Sequence, residues 1–372
     1  MLILHILRAP VGGLFRHVCD LVHVQAELGH DVGIVCDSEG GGDRTRQILA
    51  DLEMHCRLGV HRIAMPRLPG PGDFQALRNV GEIAKSSRPH ILHGHGAKGG
   101  LYARLVAGSI GAKAIYTPHG GALHYSWPTP QGAIFLGAEK LLLRKTAGLS
   151  FVCRFERNAF EQKIGLGNVR TGIVHNGLWP HEFEPVVAHA NATDLLFVGE
   201  LRVLKGVDVL IEAVGQINHN RPRSLTIVGD GPDRKQFEQQ VERSHLTERV
   251  RFTGALPARD AFAMGRVIII PSRAESFPYI VLEAIAAGLP IIATRVGGIP
   301  EILQEDMLVE PDDPELLASA IQSKLENTED LFHAARAEAE KAAKHLGVHE
   351  MGRKILAFYE DVLADPDDNA AD

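Results

Sequence analysis

Short aliphatic runs and longer amphipathic stretches take turns along this chain. Runs at 2–7, 32–36, 62–65, 90–93, 113–117, 149–152 and 169–174 are short and rich in apolar residues, which predicts strands. Between them the apolar positions recur with helical spacing, at about 13–28, 43–54, 73–86 and onward from 99. A second series restarts at 195–198 and continues through 225–228, 250–252, 267–270 and 291–293. Strand and helix in strict turn, with short loops, predict an α/β architecture of two doubly wound, Rossmann-like parallel sheets. Residues 180–191 hold two prolines and no periodicity, so they read as a linker. The expected organisation is a first domain over 1–178, a linker over 179–192 and a second domain over 193–347. A terminal helix and acidic tail fill 348–372, and residues 365–372 are expected to be disordered.

The densest signal is Pro271-Ser272-Arg273-Ala274-Glu275-Ser276-Phe277-Pro278-Tyr279-Ile280-Val281-Leu282-Glu283, which directly follows the run at 267–270. Pro278 suits the first turn of a helix, which Gly288 and Pro290 stop. Ile280, Val281, Leu282, Ala284 and Ile285 make that helix apolar on all sides, so the Glu283 carboxylate is expected to be mostly dry. Either an internal Arg or Lys pairs with it, or its partners arrive with a ligand, such as two sugar hydroxyls. Glu275 precedes the same helix at its N–H-rich end, where phosphate is also welcome. A strand end, a helix start and two carboxylates describe a pocket for a nucleotide sugar.

Glu275 and Glu283, with seven residues between them, resemble the E-x7-E signature of the retaining GT-B glycosyltransferases of family 4. The context P-S-x-x-E-S-F-P, then E-A-x-A-x-G-x-P-I-I-A-T and Val296-Gly297-Gly298-Ile299-Pro300-Glu301, resembles that family too, and the likeness extends over essentially the whole chain. It implies two Rossmann-like domains facing across a cleft, with the last helix crossing back to the first domain and Phe358 and Tyr359 packing near the hinge. It also implies sugar transfer from a nucleotide-diphosphate donor with retention, on a glycan or lipid-linked glycan acceptor, in cell-surface polysaccharide or lipopolysaccharide assembly. In Gly199-Glu200-Leu201-Arg202-Val203-Leu204-Lys205-Gly206, Arg202 and Lys205 resemble the family's diphosphate clamp, which replaces a metal. Spacing alone favours a solvated basic face; the position after a strand's carboxyl end and the resemblance favour the clamp.

By the same resemblance, Glu283 holds the ribose, Glu275 the transferred sugar, and backbone N–H groups around Ser276, Phe277 and the neighbours of Pro278 the phosphates. Gly199 and Gly231 line the nucleotide, as does Phe252-Thr253-Gly254. His119, after the run at 113–117, is expected to touch the transferred sugar, and the Gly12-Gly13 loop to abut the donor phosphates. On the residues alone, a structural hydrogen bond is the favoured reading of His119, and a bare turn suits Gly12-Gly13 equally well. Gly12-Gly13 is not a G-x-G-x-x-G, which disfavours a dinucleotide-dependent dehydrogenase. A nucleotide-sugar 2-epimerase of similar fold and a non-catalytic nucleotide-sugar binder remain as alternatives.

Composition narrows the classes further. The 372 residues are 45% hydrophobic and 23% charged, with a net charge of −7, which argues against general nucleic-acid binding. Cys19, Cys36, Cys56 and Cys153 lack metal or C-x-x-C spacing and read as reduced, buried thiols. His93-Gly94-His95 places two imidazoles on one strand face, with no third ligand at a sensible spacing. Together with the lack of a D-x-D-like motif in a suitable loop, this gives an expectation of no metal and no cofactor. Lys98 is a candidate for an acceptor phosphate, and Glu156 has no assigned role. The apolar start lacks the flanks of a signal peptide, and no run is long enough to span a membrane. A cytoplasmic protein is expected, with peripheral membrane contact through the helix at about 132–147, where Ile134 and Leu141 mix with Lys140, Arg144 and Lys145.

Overall fold

A strand needs an unbroken apolar run only when helices cover both its faces, and both sheets of this protein are built that way. The computed structural model describes residues 1–217, 222–326 and 328–364; the expected tail at 365–372 lies outside them. Two compact units result: Met1–Gly177 with the described part of Val348–Asp372, and Leu178–Gly347.

In the first unit, β1 (Leu2–Leu7), β2 (Asp31–Asp37), β3 (Val60–Ile63), β4 (Ile91–His95), β5 (Lys113–Thr117), β6 (Gly148–Phe151) and β7 (Arg170–Ile173) alternate with six helices. These are α1 (Gly12–Glu27), α2 (Gly42–Glu53), α3 (Gly72–Ser87), α4 (Gly96–Ile110), α5 (Pro130–Leu142) and α6 (Arg154–Lys163). In the second unit, β8 (Thr193–Val198), β9 (Leu225–Val228), β10 (Val250–Gly254), β11 (Gly265–Ile270), β12 (Ile291–Thr294) and β13 (Leu308–Val309) make the sheet. Its helices are α7 (Val207–Gln216), α8 (Arg234–Arg243), α9 (Ala258–Phe262), α10 (Tyr279–Ala286), α11 (Pro314–Glu326) and α12 (Thr328–Ala342). The last helix, α13 (Val348–Leu363), rejoins the first unit and packs on α1.

Both sheets are parallel, in the orders β3-β2-β1-β4-β5-β6-β7 and β10-β9-β8-β11-β12-β13. Each order reverses once, between β1 and β4 in the first sheet and between β8 and β11 in the second. The carboxyl ends of strands at such a switch point are where open α/β sheets bind ligands. Period two decides what each face meets. Leu195, Phe197, Val267 and Ile269 join the core under α7 and α11, while Leu196, Ile268 and Ile270 join that under α10.

Several expectations are corrected. Residues 179–192, expected as a linker, fall within the second unit: Val186 N–H donates to Ala287 O and His189 N–H to Ala263 O, both 2.8–2.9 Å. Pro278 is the N-cap of α10 rather than a residue of its first turn, because its ψ of 126° is still extended. The helix at 132–147 starts two residues earlier, capped by the Thr129 hydroxyl, and ends at Leu142 in a tighter turn. Phe358 lies against Gly148 and Gly172 of β6 and β7, and Tyr359 is fully buried in the first unit.

Candidate functional site

In the second unit, the loops after β8 and β11 meet at the switch point. Gly206, at φ +68°, would carry a Cβ only 1.9 Å from the Pro271 carbonyl oxygen, so only glycine lets the two loops touch. Gly297, at φ +59°, would likewise place a Cβ 1.8 Å from the Glu275 carbonyl. Between these contacts Lys205 Nζ donates to Glu275 Oε1 at 2.6 Å, and Ser272 Oγ donates to the same oxygen at 2.7 Å. Ser272 is itself buried, and its carbonyl accepts from Thr294 Oγ1 at 2.5 Å. A cation and a carboxylate 70 positions apart in sequence are thus joined at the carboxyl edge of the sheet.

The other expected residues fall around this pair in different ways. Arg202 takes a different partner, with its guanidinium 3.7 Å from the Glu200 carboxylate and half exposed. Gly199 N–H donates to Val228 O at 3.0 Å, and Gly231 packs so closely on Leu201 that a Cβ would lie 2.4 Å from its carbonyl. Ser276 O accepts from Gly298 N–H at 2.7 Å, and Phe277 is buried beneath. Glu283 is half-buried rather than dry, and it already has an interaction partner within the chain. It therefore does not depend on a ligand for its first contact.

Arg273 was invisible to spacing arguments. Its two terminal nitrogens meet the two Asp208 oxygens at 2.8 Å each, and its Nε meets Asp312 at 2.5 Å. The fork holds the β11–α10 loop against α7, and the Asp208 hydrogen bonds push the guanidinium pKa up.

In the first unit, five imidazoles gather near the β1/β4 switch point: His5, His17, His93, His95 and His119. His5 pairs in register with His93 across the sheet. That supplies the third imidazole which sequence spacing did not show. One nitrogen from each of His5, His93 and His95, and likewise of His17, His95 and His119, lies within 4.8 Å of the others. Hydrogen bonds already occupy His93 and His95, the latter common to both groups. His93 meets Tyr359 Oη at 2.5 Å and Thr117 Oγ1 at 2.8 Å. His95 meets His5 Nδ1 at 3.0 Å and His119 Nε2 at 3.1 Å. Both nitrogens of each ring are therefore engaged within the cluster, so a cation would have to displace one of these bonds. His119 itself sits at φ +49° in a loop that Glu156 holds, its Oε1 accepting from Gly120 N–H at 2.5 Å. Gly12 and Gly13 are the exposed first residues of α1. Lys98 is paired with Asp73 at 2.5 Å.

Burial keeps these rings neutral. It pushes His5 and His17 down to about 4, against the opposing pull of the Gln25 and Asn176 side chains. His93, His95 and His119 are held well below the ordinary range by burial and by neighbouring rings. Between pH 6.5 and 4 the unfolded chain binds protons that the folded one refuses, so stability is lost as pH falls through that window. His5 and His17 alone should each remove about 3 kcal/mol by pH 4. A melting temperature that stays level from pH 7 to 5 would contradict the neutral cluster.

Residues 12–177 match the model of the glycosyl transferase 4-like domain, and residues 192–327 that of the glycosyl transferases group 1. A phosphatidylinositol N-acetylglucosaminyltransferase subunit from Arabidopsis thaliana is 27% identical over 331 residues, 84% of this chain and 71% of that protein. N-acetyl-alpha-D-glucosaminyl L-malate synthase of Bacillus anthracis is 26% identical, covering 95% and 94%. Among solved structures, Anabaena HepE in complex with UDP and glucose superposes with a TM-score of 0.83 at 18% identity, over 97% of this chain and all of that one.

Proposed function

Because this chain belongs to the group 1, family 4 glycosyltransferases of GT-B fold, which use nucleotide sugars, we propose that it moves a sugar to an acceptor hydroxyl with retention of configuration and without a metal. The observation that carries this reading is the Lys205–Glu275–Ser272 constellation at the β8/β11 switch point. A carboxylate alone would repel a diphosphate; the Lys205 ammonium held beside Glu275 offsets that charge and is fixed in position before the ligand arrives. In this reading Lys205 and Arg202 neutralise the leaving diphosphate. Backbone N–H groups at Ser276 and Phe277 and the start of α10 take phosphate oxygens, and Gly199 and Gly231 line the nucleotide. Glu283 binds ribose hydroxyls, Glu275 and His119 bind hydroxyls of the transferred sugar, and Gly12 and Gly13 approach the donor phosphates. The acceptor hydroxyl attacks on the leaving-group side and gives its proton to the departing phosphate.

NMR product analysis with UDP, GDP and ADP sugars tests this. Acceptor-dependent donor consumption with the anomeric configuration kept is the expected result. Free sugar released without an acceptor would reassign the chain as a 2-epimerase, and no consumption of any donor would leave a nucleotide-sugar binder. The UDP complex of the superposing Anabaena structure makes UDP sugars the first to try.

The outward face of α5 suggests the acceptor's setting. Ile134 and Leu141 are about two-thirds exposed, and Lys140, Arg144 and Lys145 flank them. No helix among the described residues is long and apolar enough to cross a membrane, but this face suits shallow contact with anionic lipid. It supports a lipid-linked glycan acceptor in surface polysaccharide or lipopolysaccharide assembly at the inner face of the membrane. Anionic vesicles should retain the protein at low salt and release it at high salt; no retention at low salt removes the membrane contact.

A further inference from the structure

The imidazoles of the first unit form a directed chain, and its direction is set at one end. Gln25, fully buried on α1, places Oε1 2.8 Å from His5 Nε2. His5 Nδ1 lies 3.0 Å from His95 Nε2, and His95 Nδ1 lies 3.1 Å from His119 Nε2. A neutral imidazole has one N–H and one lone pair, so each ring that accepts on one side must donate on the other. A carbonyl oxygen only accepts. His5 must then carry its proton on Nε2 and accept on Nδ1, and His95 must repeat the pattern. His119 must donate from Nε2, leaving the Nδ1 lone pair as the chain's output.

We propose that Gln25 is a positioning residue which, through His5 and His95, holds His119 as the Nε2–H tautomer, so that Nδ1 is offered as a hydrogen-bond acceptor. An amide can be turned end for end, and its neighbours decide which way it lies. The nitrogen end of Gln25 is buried without a hydrogen bond, and the Tyr359 hydroxyl is its neighbour. Tyr359 lies 2.5 Å from His93 Nδ1, and the other nitrogen of His93 meets Thr117. When Tyr359 donates to His93, its oxygen can only accept, which suits the amide NH2 and turns the carbonyl toward His5. Reversing Gln25 would reverse every bond in the chain and put a proton on His119 Nδ1. Burial that keeps the rings uncharged also keeps the message intact, since an imidazolium would donate on both sides and break the sequence.

The consequence concerns what His119 recognises. A lone pair at Nδ1 takes a hydrogen from a hydroxyl; it cannot donate to a phosphate or ring oxygen. That use of the nitrogen rests on the glycosyltransferase reading above, whereas the tautomer does not. Long-range 1H–15N correlation of histidine-labelled protein, with His119→Asn to assign the ring, reads the tautomer directly. The expected spectrum shows Nε2 protonated and Nδ1 bare in the unaltered protein. Gln25→Leu, and independently His5→Phe, should spread the His119 proton over both nitrogens. A wild-type His119 protonated at Nδ1 would overturn the proposal without any variant, and so would an unaltered Nε2–H form in both variants. In turnover, Gln25→Leu should lower kcat roughly tenfold with nucleotide affinity unchanged, the worth of one hydrogen bond. If the spectra change but no sugar transfer is found in any form, the relay stands and the function does not.

Discussion

Lys205→Ala should slow sugar transfer by a factor of about 10²–10³, the usual cost of removing one fixed group that meets charge as it develops. Lys205 Nζ is held 2.6 Å from Glu275 Oε1 in the unliganded protein, so it is positioned before any diphosphate arrives. As the glycosidic bond breaks, negative charge builds on the leaving phosphate, and a cation already in place need not reorganise to meet it. The fold should survive. The pair is partly exposed, with Lys205 at 27%, so its loss costs roughly 1 kcal/mol or less, and Ser272 still donates to Glu275. Glu283→Ala should behave differently, weakening donor binding more than it slows turnover, because ribose contacts are made before and during the reaction alike. Full kinetics on both variants decide the matter. An unchanged kcat in Lys205→Ala, or unchanged nucleotide affinity in Glu283→Ala, removes that residue from the site.

Glu139→Ala should be the most destabilising single change in the first unit. Arg104 on α4 is 1% exposed, and its Nη1 lies 2.8 Å from Glu139 Oε2 on α5. Tyr116 Oη donates to the other carboxylate oxygen at 3.0 Å, while the guanidinium stacks 4.1 Å above the Tyr116 ring. Deleting the carboxylate leaves a buried cation without its counter-charge, at about 3–5 kcal/mol, which lowers the melting temperature by roughly 10 °C. Arg104→Leu combined with Glu139→Leu should recover most of that loss, since the penalty lies in the orphaned charge rather than in the missing pair. A single variant that melts with the wild type would mean water reaches this pair. The same bond fixes α5 to the sheet, so the α5 face proposed for lipid contact should lose its order along with it.

How much was legible depended on whether a signal was local. Both sheets could be read because a strand buried on both faces must be apolar throughout, as in residues 267–270. The strand ends could not: Gly94 and His95 are not hydrophobic, yet β4 runs through them because Leu7 of β1 and Thr117 of β5 pair with His95. The segment at 179–192 lacks periodicity, and nothing local distinguishes a free tether from a strap fastened by backbone bonds to Ala263 and Ala287. Glu275 and Glu283 stood out by their context. The dry burial expected of Glu283 failed because one residue of a short, apolar helix can still face outward.

The order of residues by itself determined two alternating α/β halves, the glycine-bounded loops after β8 and β11, and the family to which the chain belongs. These follow from periodicity and backbone sterics, which act between near neighbours. Folding alone decided that Lys205 would meet Glu275, that Arg104 would be answered by Glu139, and that His5, His95 and His119 would line up behind Gln25. Hydrogen bonds and ion pairs act over about 3 Å in space without regard to chain separation, so partners brought together by strand order leave no trace in spacing.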